Sequence, residues 1–351
     1  MVDHITGFAL LNEASGATEE ALERATRFLL ERQGRDGLWR DFLTPAGEAS
    51  QWPSGFIGAA LPLTEDTADA LVKAADTLVC TQNTDGGWGY NEHVPTDADS
   101  TAWVLRFLNR LGRAGAYRRG ADCLIEHQRS RNGGIATYSD SGPIRRFMGI
   151  SRWVPFSGWC APQTEVTAAA ALALAASSDC ASSVQLRQAW RFVRARQRRD
   201  GSWSSYWWTS PHYTTLQAVE LALAAGDESA VRRAVLWTIV HQRDTGGWSA
   251  TGTDDSAFAT ANAVSILLRA NAAADHIACG LMRLVDMQQA DGGWGSQPTL
   301  RIPLPPDRDP NRESTWRLVR FGPGIDVLDQ HRTFTTAACV AAMALAQPGE
   351  R

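Results

Sequence analysis

The chain has 351 residues, with 34 Lys and Arg against 38 Asp and Glu, six Cys and 14 Trp. A formal charge of −4 excludes the basic footprint of a nucleic-acid binder, and the length is enough to bury a large core without disulfide or metal staples. The longest apolar stretch, residues 166–178, is too short to span a bilayer, and residues 1–16 lack the basic-then-apolar order of a signal peptide. A cytoplasmic protein, not integral to a membrane, is expected. The cysteines (Cys80, Cys123, Cys160, Cys180, Cys279, Cys339) form no CxxC pair and mostly sit in apolar stretches, which predicts reduced, buried thiols.

In chain order, one phrase recurs: Gln33-GRDGLW, Gln82-NTDGGWG, Gln197-RRDGSW, Gln242-RDTGGW and Gln288-QADGGWG. A sixth copy, Gln128-RSRNGGIATY, keeps the Gln and the Gly pair but has Ile135 in the Trp slot. The Gln positions are 49, 46, 69, 45 and 46 residues apart, a mid-forties period with one insertion, about 140–163, after the third copy. Each Gln ends an amphipathic segment, as in ALERATRFLLERQ, AVLWTIVHQ and LMRLVDMQ, and the Gly-Trp phrase then breaks the helix. A second helix follows, apolar nearly all round: TAWVLRFLNRLG, VTAAAALALAA, TTLQAVELALAAG, ATANAVSILLRA and TTAACVAAMALA. Six polar-faced outer helices around six apolar inner ones describe an all-α, closed (α/α)6 barrel, a single domain over residues 1–351, with an extended loop at about 295–325 in which the Pro- and Arg-rich stretch Gln297–Arg312 is a candidate lid. The Gln amide is expected to bond free backbone groups at helix ends while the indole covers and pins the turn.

These phrases resemble the QW repeats of the squalene–hopene and oxidosqualene cyclases, the class II terpene cyclase family. The resemblance runs from about residue 21 to 346 and includes the non-repeated segments in order. PTDADSTAW resembles the acidic DxDD-T-A motif, QTEVTAAA the next inner helix, RDGSWSSYWWTSPHYTT the DGSW…Y-G-T segment, and FGPGIDVLDQHRTF the closing stretch. The resemblance implies an enzyme that protonates an alkene or epoxide and then guides cationic ring closure. Residue by residue, Asp97 matches the first Asp and Asp99 the proton-donating one, whereas Ser100 replaces the last; Thr101 and Ala102 complete the motif. The family's squalene–hopene branch has a His where this chain has Ala169, and Glu165 is the acidic residue kept nearby. The local sequence also reads as an N-capping Asp-Ser-Thr group.

Trp52, Tyr138, Trp207 and Tyr213 fall where the family places cavity aromatics, Trp103 follows the acidic motif, and His212 beside Tyr213 is able to exchange a proton. For each, ordinary helix packing is the alternative reading. Trp153 and Trp159 either cap the cavity mouth or anchor the insertion; Trp190, Trp208, Trp237 and Trp316 receive no role. Asp254-Asp255 reads as a solvated loop pair, Arg145-Arg146 as a solvated loop or a phosphate contact at the rim, and His331 as structural. Without a DDxxD cluster or an Asp-x-Cys pair, neither Mg²⁺ nor zinc is expected, and no cofactor. The expected partner is a hydrophobic isoprenoid or meroterpenoid. One barrel must close its cavity with loops, a partner subunit, a second copy or the substrate itself, and peripheral membrane contact stays open. The alternatives are a non-catalytic isoprenoid-binding barrel and a diverged acid-assisted isomerase or cyclase acting on another natural-product intermediate.

Overall fold

The amphipathic segments become outer helices and the alanine-rich segments inner ones. Outer helix first, the pairs are α1 (Val2–Glu31) with α2 (Gln51–Ala60), α3 (Glu65–Cys80) with α4 (Ala98–Arg110), and α5 (Ala114–His127) with α7 (Thr164–Ala175). The second half continues with α8 (Cys180–Arg194) and α9 (Pro211–Ala224), α10 (Glu228–Val240) and α11 (Ala257–Arg269), α12 (Ala274–Met287) and α13 (Thr333–Ala346). A short helix, α6 (Ser141–Phe147), lies in the insertion. This computed structural model describes residues 2–128, 132–176, 180–312, 317–318 and 324–347, with residues 2–15, 180–183 and 317–318 as backbone alone; Trp316 and the Cys180 side chain fall outside the described parts. Inner helices pack in the ring α2–α4–α7–α9–α11–α13, and α13 returns to α2. The chain is therefore a closed, all-α (α/α)6 barrel. Alanine-rich inner helices approach closely and bury every side: α11 is buried from Ala257 through Leu267.

Three bonds per turn hold the ring. The indole N–H donates to the carbonyl ten residues back, at the end of its own outer helix: Trp39 to Leu29 (2.7 Å), Trp88 to Leu78 (2.8 Å), Trp203 to Val193 (2.8 Å), Trp248 to Thr238 (2.7 Å) and Trp294 to Leu284 (2.9 Å). These carbonyls are among the orphans of a helix C-terminus. The Gln Nε2 bridges the turn to the first turns of the next outer helix: Gln33 to Ala70, Gln82 to Ala116, Gln197 to Ala230 and Gln242 to His276. Gln288 reaches Ala21 on α1 at 2.8 Å and so joins the last repeat to the first. Third, a hydroxyl of each inner helix accepts the backbone N–H at the Trp slot, from Ser54, Thr101, Thr215, Thr260 and Thr336, with Thr167 serving Ile135. In the Ile135 copy Gln128 bonds the Gly133 carbonyl, and residues 129–131 lie outside the described residues. The turn glycine has φ between +81° and +102° in all six copies, and a Cβ on Gly86 would stand 2.5 Å from the Arg119 carbonyl of the next outer helix.

Five short strands, which helical patterning did not suggest, stand at the N-terminal end of the inner helices. β1 (Asp41–Thr44) and β2 (Gly47–Ala49) form an antiparallel hairpin. β3 (Pro298–Ile302) pairs antiparallel with β5 (Ile325–Leu328), and β4 (Arg317–Leu318) pairs parallel with β5. The stretch expected as an extended loop thus carries part of a sheet. Buried Asp41 ties the hairpin to α13 by accepting the N–H groups of His331, Thr333 and Phe334. The thiols differ from expectation: Cys123 and Cys339 are buried and Cys160 partly so, but Cys80 and Cys279 are exposed because they lie on the solvent side of outer helices.

Replacing Trp248 by Phe leaves a buried carbonyl without its donor and is expected to cost about 1–3 kcal/mol, read as a lower denaturation midpoint. The same change at Trp153, which is 79% exposed, is expected to stay within about 0.5 kcal/mol of the parent.

Candidate active site

The turn bonds decide which inner-helix residues face the barrel axis. Counting two positions back from each hydroxyl gives Trp52, Asp99, Glu165, Tyr213, Phe258 and Phe334, one per inner helix. All six are buried. Around the aromatic side of this layer, Trp52 lies 5.0 Å from Phe334, Phe334 5.8 Å from Phe258, and Phe258 5.8 Å from Tyr213, between ring centroids. The other two positions, adjacent on α4 and α7, are carboxyls. One layer therefore has an aromatic arc and an acidic arc.

Asp97 and Asp99 occupy the start of α4 and have different tasks. Asp97 is the N-cap: Oδ1 accepts the Ser100 N–H at 2.8 Å and Oδ2 the Ser100 hydroxyl at 2.6 Å. Burial holds its carboxyl up at about 6, against the pull of those Ser100 bonds. Asp99, in the first helical turn, takes no part in the cap, and its Oδ1 is buried without a hydrogen-bond partner. Burial pushes Asp99 well above the usual carboxylate range, and the charges of Asp97 and Glu165 add to this. The capping reading thus belongs to Asp97 and leaves Asp99 unengaged.

A cavity of about 350 Å³ opens above α4. Asp97, Asp99, Ser100, Trp52 and Trp208 form its barrel-facing part; Thr137, Tyr138, Trp159 and Trp207 line it from the loops, and Ile144, Phe147 and Met148 from α6 and its end. Trp207 is fixed at three atoms: its N–H donates to Glu165 Oε1 at 2.8 Å, its indole N–H to Thr137 Oγ1 at 2.7 Å, and its carbonyl accepts the Arg301 N–H at 2.7 Å. The Tyr206 N–H also donates to Glu165 Oε1, at 2.6 Å, whereas Oε2 is buried without a partner and burial raises the carboxyl. The loops beside the cavity are tied to the segment through Pro303, Pro305 and Asp307. The Pro303 carbonyl accepts the Trp159 indole N–H (2.9 Å), the Pro305 carbonyl the Gly158 N–H (2.9 Å) and the Asp307 carbonyl the Tyr206 hydroxyl (2.8 Å).

Trp52, Tyr138, Trp207, Asp97 and Asp99 therefore meet at one cavity, while four other expected site residues stand off its wall. Glu165 acts from behind Trp207. Tyr213 and Trp103 lie deeper, where the Trp103 indole N–H donates to the Tyr213 hydroxyl at 3.0 Å and the Arg106 guanidinium stacks 4.4 Å from the Trp103 ring. His212 turns away from the cavity: it packs on Trp237 of α10 at 4.6 Å, and burial pushes it down to about 3, so the expected proton exchange has no geometric support. Trp153 is too exposed to cap the mouth, whereas Trp159 lines the cavity. Trp208 went unassigned in the sequence; it stacks against Trp52, Tyr213, Phe258 and Phe334. The signal for Phe258 and Phe334 was the repeat position itself, two before the hydroxyl; for Trp208 it was only its adjacency to Trp207. Of the acidic pair in the fifth repeat, Asp254 is exposed, but the Asp255 side chain is buried between Arg243 (2.9 Å) and Arg283 (2.7 Å) and so is no solvated loop residue. Arg145 is occupied with the Ser151 and Val154 carbonyls, and His331 pairs with Glu48 at 2.7 Å. Among the described residues no cluster of His, Cys, Asp or Glu is arranged to hold a metal ion, and no helix is long and apolar enough to cross a membrane.

Comparison with known proteins agrees with this geometry. Residues 90–299 match the model of the squalene–hopene cyclase C-terminal domain. The chain belongs to the squalene–hopene cyclase C-terminal domain family. It is 30% identical over 263 residues to drimenyl diphosphate synthase of Streptomyces showdoensis, covering 71% of this chain and 45% of that protein. It is 28% identical over 242 residues to squalene–hopene cyclase of Bradyrhizobium diazoefficiens, covering 60% and 36%. The chain thus spans less than half the length of these curated relatives. A solved structure matches it nearly end to end: the type II terpene cyclase MstE from Scytonema, in a variant bound to its product merosterolic acid A, with TM-score 0.86, 29% identity and coverage of 97% of this chain and 98% of that one. Another variant of MstE holds its substrate, geranylgeranyl dihydroxybenzoate, with the same TM-score. Within this family's barrel, the six-repeat layer places Asp99 at an apolar cavity and Glu165 behind the Trp207 wall of that cavity.

A carboxyl whose folded pKa is raised keeps its proton in the fold at a pH where the unfolded chain has lost it. Its destabilising effect is absent below the unfolded value of about 4 and grows as the pH rises through the folded value, near 6 for Asp97 and higher for Asp99. Asp99→Asn removes one such group. The melting temperature of the variant minus that of the parent is expected to increase from pH 4 to pH 8; a difference that does not change with pH would contradict the buried, protonated Asp99.

Proposed function

We propose that this chain is a class II terpene cyclase that acts as one barrel and starts the reaction by proton transfer from Asp99 to an isoprenoid or meroterpenoid. The observation that carries the reading is the division of labour at α4: Asp97 caps the helix, and Asp99 is a buried carboxyl released from capping at the edge of an apolar, aromatic-lined cavity. An alkene is a very weak base, so its protonation needs an acid that is kept protonated and dry. Burial, with the negative charges of Asp97 and Glu165 nearby, favours the proton-bearing form of Asp99.

In the proposed step, the π electrons of the terminal alkene bond to the Asp99 proton, or an epoxide oxygen takes it and its C–O bond breaks. Either way a carbocation forms and Asp99 is left as carboxylate, next to the helix N-terminus where partial positive charge favours an anion. Ring closure then uses further alkenes of the same chain as nucleophiles, and the last cation loses a proton from an adjacent carbon to leave an alkene, so the product is an isomer of the substrate and Asp99 takes a proton again from solvent. Trp52, Tyr138, Trp207 and Trp208 present aromatic surface that stabilises positive charge without trapping it. Glu165 supports the site as a positioning residue, since it holds the backbone of Trp207. Tyr213 and Trp103 belong to the packing beneath the cavity.

The substrates of relatives support the class of molecule and not its identity. MstE binds a geranylgeranyl chain on a dihydroxybenzoate, and the Streptomyces relative is named for drimenyl diphosphate.

Incubation of the protein without added metal with geranylgeranyl, farnesyl and geranyl diphosphates, their alcohols and prenylated phenols is expected to yield a cyclic isomer of at least one of them. Asp99→Asn should lower that turnover by more than about 100-fold while the circular dichroism spectrum stays that of the parent. Retained turnover in the variant would remove the assignment of Asp99.

A further inference from the structure

The cavity has two walls of different origin. One belongs to the barrel, with Trp52 and Asp99 on inner helices and Trp208 just before α9. The other is α6, in the insertion between the third turn and α7, which contributes Ile144 and Phe147, with Met148 just after it. α6 packs on a satellite apolar cluster with Val94, Tyr138, Phe156, Trp159 and Tyr206, separate from the main core. It is braced within its own loop. Asp140 accepts the Gly142 N–H at 3.1 Å, and Arg145 bonds the Ser151 and Val154 carbonyls and stacks 4.4 Å from Phe156. The exposure of its residues is graded: Ile144 is 2% exposed and Phe147, which also lines the cavity, is 39% exposed. Phe147 therefore stands where the cavity meets solvent.

We infer that α6 is a length gauge: Ile144 and Met148 set how much isoprenoid chain fits between this wall and Asp99, so that these two side chains select the number of isoprene units. The inference rests on the proposed isoprenoid substrate. A chain reacts only if its terminal alkene reaches the acid, and the space left for the remainder is bounded by α6. Replacing Ile144 and Met148 with Ala removes about six side-chain heavy atoms, close to the five carbons of one isoprene unit, without touching the bonds that hold the barrel. Even one methylene in an apolar pocket shifts discrimination by about tenfold or more.

The test measures binding rather than turnover, in the Asp99→Asn background, with geraniol, farnesol and geranylgeraniol as probes and quenching of tryptophan fluorescence as readout. Three forms are compared: the unmodified gauge, Ile144→Ala with Met148→Ala, and the milder Met148→Ala alone in case the double change unfolds the insertion. Ile144→Phe supplies the opposite change. Widening should move the preferred alcohol to the next longer one, with the ratio of dissociation constants changing at least about tenfold; narrowing should move it to a shorter one. A preference unchanged by both widening and narrowing overturns the gauge alone, because the alcohols still bind. Absence of quenching by any alcohol in every form overturns both the gauge and the isoprenoid reading. Binding that follows the expected pattern, with no turnover of any of the substrates by the protein that retains Asp99, would keep the gauge and discard the chemistry.

Discussion

The structure depends on how a helix end is completed. An outer helix finishes with carbonyls that have no partner inside the helix, and the chain must also turn sharply inward there. The indole N–H answers the first need from within the same turn, a positive-φ glycine the second, and the Gln amide carries the connection to the neighbouring repeat. In the five Trp-bearing copies the Gln ties the turn to a neighbouring outer helix, and the Gln288 bond to Ala21 helps close the ring. The sixth copy lacks the indole and still keeps its place, with Thr167 bonding the backbone at Ile135. The hydroxyl tie and the glycine geometry thus persist where the Trp does not.

The same turn aims the chemistry. In the second repeat the Trp88 carbonyl accepts the Asp97 N–H at 3.0 Å, and Thr101 bonds the Trp88 N–H. These bonds fix the start of α4 on both sides of Asp99. The equivalent positions in the other repeats carry Trp52, Glu165, Tyr213, Phe258 and Phe334, so acid and aromatic surface arise from one structural position repeated six times. A carboxyl placed there is buried, and burial together with the charges of Asp97 and Glu165 pushes it well above the usual carboxylate range. A buried carboxyl of this kind costs stability as the pH rises. Ser100 at the fourth position of the motif, in place of its last Asp, is compatible with this arrangement, since Ser100 supplies both the N–H and the hydroxyl that Asp97 accepts.

The barrel and its loops obey different rules. Barrel positions are fixed by bonds that recur from repeat to repeat, whereas the loops around the cavity come from the β1–β2 hairpin, the insertion and the segment through Pro303–Asp307, each attached by contacts that do not recur in the other repeats. Asp41, which receives N–H groups from the start of α13, ties the hairpin into the ring. Variation in these loops changes the cavity without disturbing the barrel. That separation suits a family whose members, MstE and the diphosphate synthases among them, are named for different molecules.

The sequence by itself determined the repeat, the inner and outer helices and the acidic motif, because those signals span ten residues or fewer and repeat with a fixed period. Bonds such as Trp88 to Leu78 and Gln82 to Gly86 are local, and their pattern is written in residue spacing. Only the tertiary structure decided that Asp97 caps while Asp99 does not, that His212 faces Trp237, that Asp255 is sealed between two arginines, and that Trp208 rather than Trp103 reaches the cavity. Each of those outcomes depends on which side of a helix or loop meets a segment elsewhere in the ring. The cavity wall joins Thr44 to Ile302, and the Trp159 indole bonds Pro303, 144 residues along the chain. A tryptophan looks the same in sequence whether it pins a turn, fills the lumen or faces a substrate; its surroundings, assembled from distant segments, make the difference.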